Sequence, residues 1–183
     1  MSGKKLFIAA AVVLLFNCSK SYSENQCLNK YNKTSLIFLD TNKKNHQSIT
    51  DAIELVREIM NGEIISACRK FRKDYPYWEI NIIAAGGSSV EVEIVHSEMK
   101  ILSMSSDEGP FTYDLKPSDV LISFFQAVRV VSEKTTSPIL KWKFLKVKDK
   151  WEYDFWLFTK SGKAQMRVDA ETGEIISAKK KKK

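Results

Sequence analysis

Histidine is nearly missing from this sequence: among 183 residues only His46 and His96 occur, one in a polar stretch and one near a strand end. Neither stands at metal-ligand spacing from a cysteine or carboxylate, so the usual histidine-based metal sites and histidine-dependent nucleophile arrangements have no material to work with. Glycine is scarce as well, with seven residues, none in a phosphate-cradling loop or a serine-centred nucleophile elbow. Nor is there an apolar run long enough to span a bilayer, which takes about 20 residues. The longest is LFIAAAVVLLF, residues 6–16. An excess of charge is missing too, once its location is considered. The formal charge is +7, but setting aside Lys4, Lys5 and Lys179–Lys183 leaves 22 basic against 22 acidic residues. The body is neutral, and its composition gives no reason to expect a nucleic-acid partner.

What is present begins with an export segment. Lys4 and Lys5 precede the eleven-residue apolar core, the layout of a signal peptide. Two exits can be read. Leu15-Phe16-Asn17-Cys18 is a loose lipobox, after which cleavage would leave Cys18 to carry a lipid and anchor the chain to a membrane. Alternatively, Ser21 and Ser23 occupy the small-residue positions of an ordinary cleavage site after Ser23. Either exit leaves Cys27 and Cys68 as an even pair, a disulfide candidate in an exported chain. A bridge of that separation would stabilise the fold by about 4 kcal/mol on the chain-entropy view.

The remaining sequence divides by its periods. Residues 18–47 read as a polar tether with a short strand at Leu36–Leu39. Ser48 and Asp51 form a capping pair, and Ile49, Ala52, Ile53, Val56, Ile59 and Met60 recur at helical spacing. Ile64, Ile65, Cys68 and Phe71 prolong that spacing, so helix is expected to about Arg72. From Tyr77 the period is two: Trp78, Ile80 and Ile82, then Val90, Val92 and Ile94 across AAGGSS, an antiparallel hairpin. A short strand follows at Lys100–Met104, then a linker over 107–118. The order then recurs. Asp119 is expected to cap a helix carrying Val120, Leu121, Phe124, Phe125, Val128 and Val131, followed by strands at 139–147, 151–158, 164–168 and 174–177. Laid over each other at a shift of 73 to 75 residues, the halves match Ala52 to Ala127, Trp78-Glu79 to Trp151-Glu152, and Lys100–Ser103 to Glu174–Ser177. The expected fold is α+β: two repeats, 48–106 and 119–178, each a helix packed on a small antiparallel sheet, with a poly-Lys tail at 179–183.

The stretch KWEYDFWLFTKSGKAQMRVDAETGEIIS, residues 150–177, resembles the end of a PepSY domain, with Trp151–Phe155 as a strand, Ser161-Gly162-Lys163 as its turn and Arg167–Ile176 as the ending. The first copy is degenerate: it has Val95-His96-Ser97-Glu98-Met99 where the second has Asp169–Gly173, so its likeness rests on order and shift. PepSY domains occur in propeptides of secreted metallopeptidases and in exported proteins, and the resemblance implies binding to, and restraint of, an extracytoplasmic peptidase. The physical reading of Asp169, Thr172 and Gly173 is a scaffold turn: the carboxylate accepts from amides two or three residues on, and glycine supplies the left-handed conformation. Glu91 with Glu93, and Glu152 with Asp154, read as the solvated faces of amphipathic strands rather than acid–base pairs. No catalytic, metal or cofactor site is expected. Trp156 and Phe158, on the strand face opposite Tyr153 and Phe155, are the candidate partner surface. The alternative function is a structural or adhesive envelope role without a peptidase.

Overall fold

The computed structural model describes residues 27–29, 48–73, 75–160 and 162–180. Expectations for Cys18, His46, the Leu36–Leu39 strand and the end of the lysine tail lie outside the described residues. The elements run β1 (Cys27–Asn29), α1 (Ile49–Ile59), β2 (Gly62–Arg72), β3 (Tyr75–Ala84), β4 (Ser89–Val95), β5 (Lys100–Ser106), α2 (Phe124–Lys134), β6 (Ile139–Val147), β7 (Lys150–Thr159), β8 (Gly162–Asp169) and β9 (Ile175–Lys180). The fold is α+β. Eight of the strands, with the three-residue β1 at one edge, form one antiparallel sheet in chain order. Both helices pack on one face of it. The expected pair of small sheets is therefore a single sheet, because β5 pairs directly with β6 through Ser103↔Leu145, Met104↔Phe144, Ser105↔Lys143 and Ser106↔Trp142.

Helix α1 starts where its capping pair sits. The Ser48 amide donates to Asp51 Oδ2 at 2.8 Å, and the Asp51 amide donates to Ser48 Oγ at 3.2 Å. Ala52, Val56 and Ile59 face the core. The helix stops at Met60 instead of continuing to Arg72. Two features of the next segment explain this correction. A Cβ on Gly62 would stand 2.5 Å from Ile82 Cγ2 and 2.7 Å from the Ile83 carbonyl oxygen, so glycine lets β2 approach β3. A bulge between Ile64 and Ser66 then places Ile64 opposite Ile82 and Ala67 opposite Ile80, on the same face. The residues whose spacing suggested helix, Ile64, Ile65, Cys68 and Phe71, straddle this bulge and do not share one face, Ile64 standing opposite Ile82 and Cys68 opposite Glu79.

Helix α2 also begins later than expected. Ser123, not Asp119, is the cap: the Ser123 amide donates to Gln126 Oε1 at 2.8 Å and the Gln126 amide to Ser123 Oγ at 3.3 Å. Asp119 is exposed and pairs with Lys116 at 2.9 Å, and Val120 is 82% exposed rather than core. The segment before the helix, expected to be a linker, crosses the core as a strap. Leu115 bridges to Met60, the Lys116 amide donates to the Ile59 carbonyl at 3.0 Å, and Tyr113 and Leu115 are buried. Phe124 lies at the centre of an aromatic cluster. Its ring stacks on Tyr113 at 5.4 Å and meets Trp142 at 4.5 Å, Phe155 at 6.0 Å and Tyr153 at 6.2 Å. The buried residues of both helices and the sheet form one continuous core.

Candidate partner-binding face

With the helices on one side, the other side of the sheet is uncovered among the described residues. Strand alternation assigns its residues: Lys70, Arg72, Glu79, Asn81, Glu91 and Glu93 from the first half, and Lys141, Lys143, Glu152, Asp154, Trp156, Phe158, Gln165 and Arg167 from the second. The second half thus lengthens the sheet and adds no layer over the first.

The charges on this face are interlocked. Arg72 reaches across Tyr77, with its guanidinium 5.2 Å from the ring centroid, to donate to Glu93 Oε1 at 2.7 Å. Ser103 donates to the other Glu93 oxygen at 2.6 Å. In the second half Arg167 donates to Glu152 Oε2 at 2.9 Å and to Ser177 Oγ at 3.0 Å. Gln165 donates to Asp154 Oδ2 at 2.6 Å. Glu93, Glu152 and Asp154 are consequently buried, which corrects the expectation of solvated carboxylates. On a wide sheet, long neighbours on adjacent strands lie over these carboxylates, and fixed hydrogen bonds replace the water they displace.

Trp156 and Phe158 stand on the same open face. Phe158 is 55% exposed, while the Lys141 ammonium sits 4.9 Å from the Trp156 ring centroid and partly covers it. Tyr153 and Phe155 point the other way, into the core. Tyr153 donates to the Ile122 carbonyl at 3.0 Å, and burial pushes its hydroxyl strongly up from the ordinary value.

The Asp169–Gly173 turn is a closed hydrogen-bonded unit. Asp169 Oδ1 accepts from the amides of Glu171 at 2.9 Å and Thr172 at 3.1 Å, and Thr172 Oγ1 accepts from the Glu174 amide at 3.2 Å. Gly173 has φ of 77° and its amide donates to the Asp169 carbonyl at 2.9 Å. Burial raises the Asp169 carboxyl, but those two amides together with Lys150 outweigh it and hold it below the ordinary carboxylate range. The Ile122 amide donates to the Ala170 carbonyl at 2.8 Å, so the turn also holds the approach to α2. Its groups are consumed in structure.

Cys68 is disulfide-bonded, and the residue directly across the ladder from it is Cys27 in β1. The His96 ring lies 5.2 Å from Trp78. Among the described residues no group of three or more His, Cys, Asp or Glu is placed to hold a metal, and no helix is long and apolar enough to cross a membrane.

One feature of this face escaped the sequence. Beside the β3–β4 turn lies a polar cleft of about 350 Å³, lined by Asn81, Ser89, Glu91, Ser105, Asp107 and Glu108 among others. Burial, with Glu79 and Glu93 nearby, raises the Glu91 carboxyl from its ordinary value. The signal for it was the alternation of Glu91 and Glu93, which the ladder sets opposite Ser105 and Ser103.

No family model matches the chain, and no curated protein matches it, so the PepSY likeness stands on the residues quoted for it. Among solved structures, the chain is similar to a candidate lipoprotein, CD1622, of Clostridium difficile 630, at 11% identity and a TM-score of 0.35, covering 76% of this chain and 97% of that one. A score at that level carries no argument about either fold family or function.

Proposed function

We propose that this chain is an exported, non-catalytic binding protein, held at a membrane through a lipid on Cys18, that restrains an extracytoplasmic peptidase. The reading treats it as two PepSY-like units fused edge to edge. The observation that carries it is the element order: a helix followed by four antiparallel strands, twice, in one sheet. Position-by-position likeness on the open face supports the duplication. Ser103 bonds Glu93 across β4 and β5, and Ser177 bonds Arg167 across β8 and β9, at the shift of 74 residues that aligns the halves.

The action would be steric. A broad sheet face on which Arg72–Glu93 and Arg167–Glu152 are already paired loses little order on docking, and Trp156 and Phe158 offer apolar contact at its rim. A partner seated there would have its own cleft blocked without any covalent step. The test is affinity capture from the host's envelope extract with the full chain as bait. Recovery of a peptidase, lost on Trp156→Ala with Phe158→Ser at an unchanged melting temperature, is the expected result. Recovery of structural envelope proteins alone would instead favour a structural or adhesive role.

A further inference from the structure

We propose that the polar cleft beside the β3–β4 turn is a binding site for an arginine side chain of a bound peptide, with Glu91 as its counter-charge. This stands apart from the peptidase reading, because any peptide or protein that offers an arginine to this face would use the site.

Carboxylates on the open face come with partners. Lys70 meets Glu79 at 3.1 Å, and Arg72 and Ser103 hold Glu93. Arg167 holds Glu152, and Gln165 holds Asp154. Glu91 is the exception: it is half-buried, and among the described residues no hydrogen bond or ion pair reaches its carboxyl. Its cross-strand neighbour Asn81 turns its amide to Ser66 Oγ at 3.1 Å instead, and Ser105 stands on its other side. Lys143 and Lys70 act on Glu91 only through space. Burial, with Glu79 and Glu93 nearby, prevails over them and holds the carboxyl above its ordinary value. A cation arriving there relieves that burden, since it pairs with a carboxylate already stripped of part of its water.

The cleft has the size and the lining for such a cation. Its volume of about 350 Å³ leaves room for one long side chain, near the lower end of ligand sites, about 300–1,000 Å³. Asp107 and Glu108 line it with Glu91, and no lysine or arginine does. Lys141, which meets Asp107 at 3.4 Å, lies outside the lining. Ser88 lines it too; that residue is 3% exposed, and its Oγ has no hydrogen-bond partner. The site thus offers carboxylates, hydroxyls and the Asn81 carbonyl oxygen. A guanidinium is their complement, with five N–H donors in a planar fork and no acceptor. A metal ion fits less well: among the described residues no three His, Cys, Asp or Glu are placed to hold one.

The test is an NMR titration of the full chain in mild detergent with the peptide acetyl-Gly-Arg-Gly-amide. The backbone amide signals of Gly87, Ser89, Glu91 and Ser105 are expected to shift and to saturate together, with one dissociation constant. The same peptide with citrulline, which keeps the shape and loses the charge, is expected to bind about tenfold more weakly or worse. A lysine peptide, lacking the fork, should also bind less tightly than the arginine one. Glu91→Gln is expected to raise the dissociation constant about tenfold without lowering the melting temperature. Glu174→Gln, at an exposed carboxylate of the other half, should leave it unchanged. Shifts that grow without saturating overturn the proposal. So does equal binding of the citrulline or lysine peptide to the wild-type chain, or arginine binding that Glu91→Gln leaves intact.

Discussion

Replacing Asp169 isolates the turn that carries the most recognisable part of this sequence. Its carboxylate accepts from two backbone amides, those of Glu171 and Thr172, with Lys150 farther off at 3.8 Å. A hydrogen bond to a charged group contributes about 1.5–3 kcal/mol. Glu171 and Thr172 are exposed, so water can reach their freed amides, and the low end applies. Two such bonds give about 3 kcal/mol for Asp169→Ala, or roughly 6–12 °C in melting temperature for a chain of this size. Asp169→Asn retains an acceptor but loses the charge, and is expected to cost about half as much. The acid dependence separates the two contributions. The folded-state carboxyl titrates below its unfolded value, so its stabilisation is complete above the unfolded value, about 3.9, and is lost as pH falls through the folded one. The stability gap between wild type and Asp169→Asn, followed by urea denaturation from neutral pH downward, should therefore close in acid. A gap that stays constant with pH, or an Asp169→Ala variant within about 0.5 kcal/mol of wild type, would refute the scaffold account of the turn.

Three further substitutions test the fold. Tyr113→Phe removes the acceptor for the buried Trp142 Nε1, which donates at 2.9 Å, and should cost about 1–3 kcal/mol by urea denaturation. Gly62→Ala drives a methyl into Ile82 and the β3 backbone and should cost more than Gly87→Ala in melting temperature, even though Gly87 has a φ of 91°, because a Cβ at Gly87 meets nothing within 4 Å. Ser123→Ala should lower stability by about 1 kcal/mol while Asp119→Ala leaves the melting temperature unchanged, since Ser123 is the helix cap and Asp119 pairs only at the surface.

Period changes made most of the architecture readable before any coordinates. Trp78, Ile80 and Ile82 against Val90, Val92 and Ile94 form the β3–β4 hairpin, and the Ser48–Asp51 cap opens α1. The errors have specific causes. In β2 the helical spacing of Ile64, Ile65, Cys68 and Phe71 straddles a bulge, so it does not mark one face. At α2 Asp119 is the expected cap, although Ser123 and Gln126, three residues apart, carry the local capping-box signal that the structure uses. The strap over 107–118 has no period, so nothing local announces that Phe111, Tyr113 and Leu115 complete the core. The face was legible as alternation, but its burial was not. Whether Glu93 is wet depends on Arg72, 21 residues away and two strands over, and no local pattern encodes that reach.

The central claim is restraint of a peptidase by the open sheet face, and inhibition in trans tests it most directly. Purified chain is added in increasing amount to the peptidase fraction of the host envelope, and peptide hydrolysis is followed by release of a fluorophore. Activity is predicted to fall with dose and to be restored by Trp156→Ala with Phe158→Ser at unchanged melting temperature. Hydrolysis that stays constant at every dose would contradict the account.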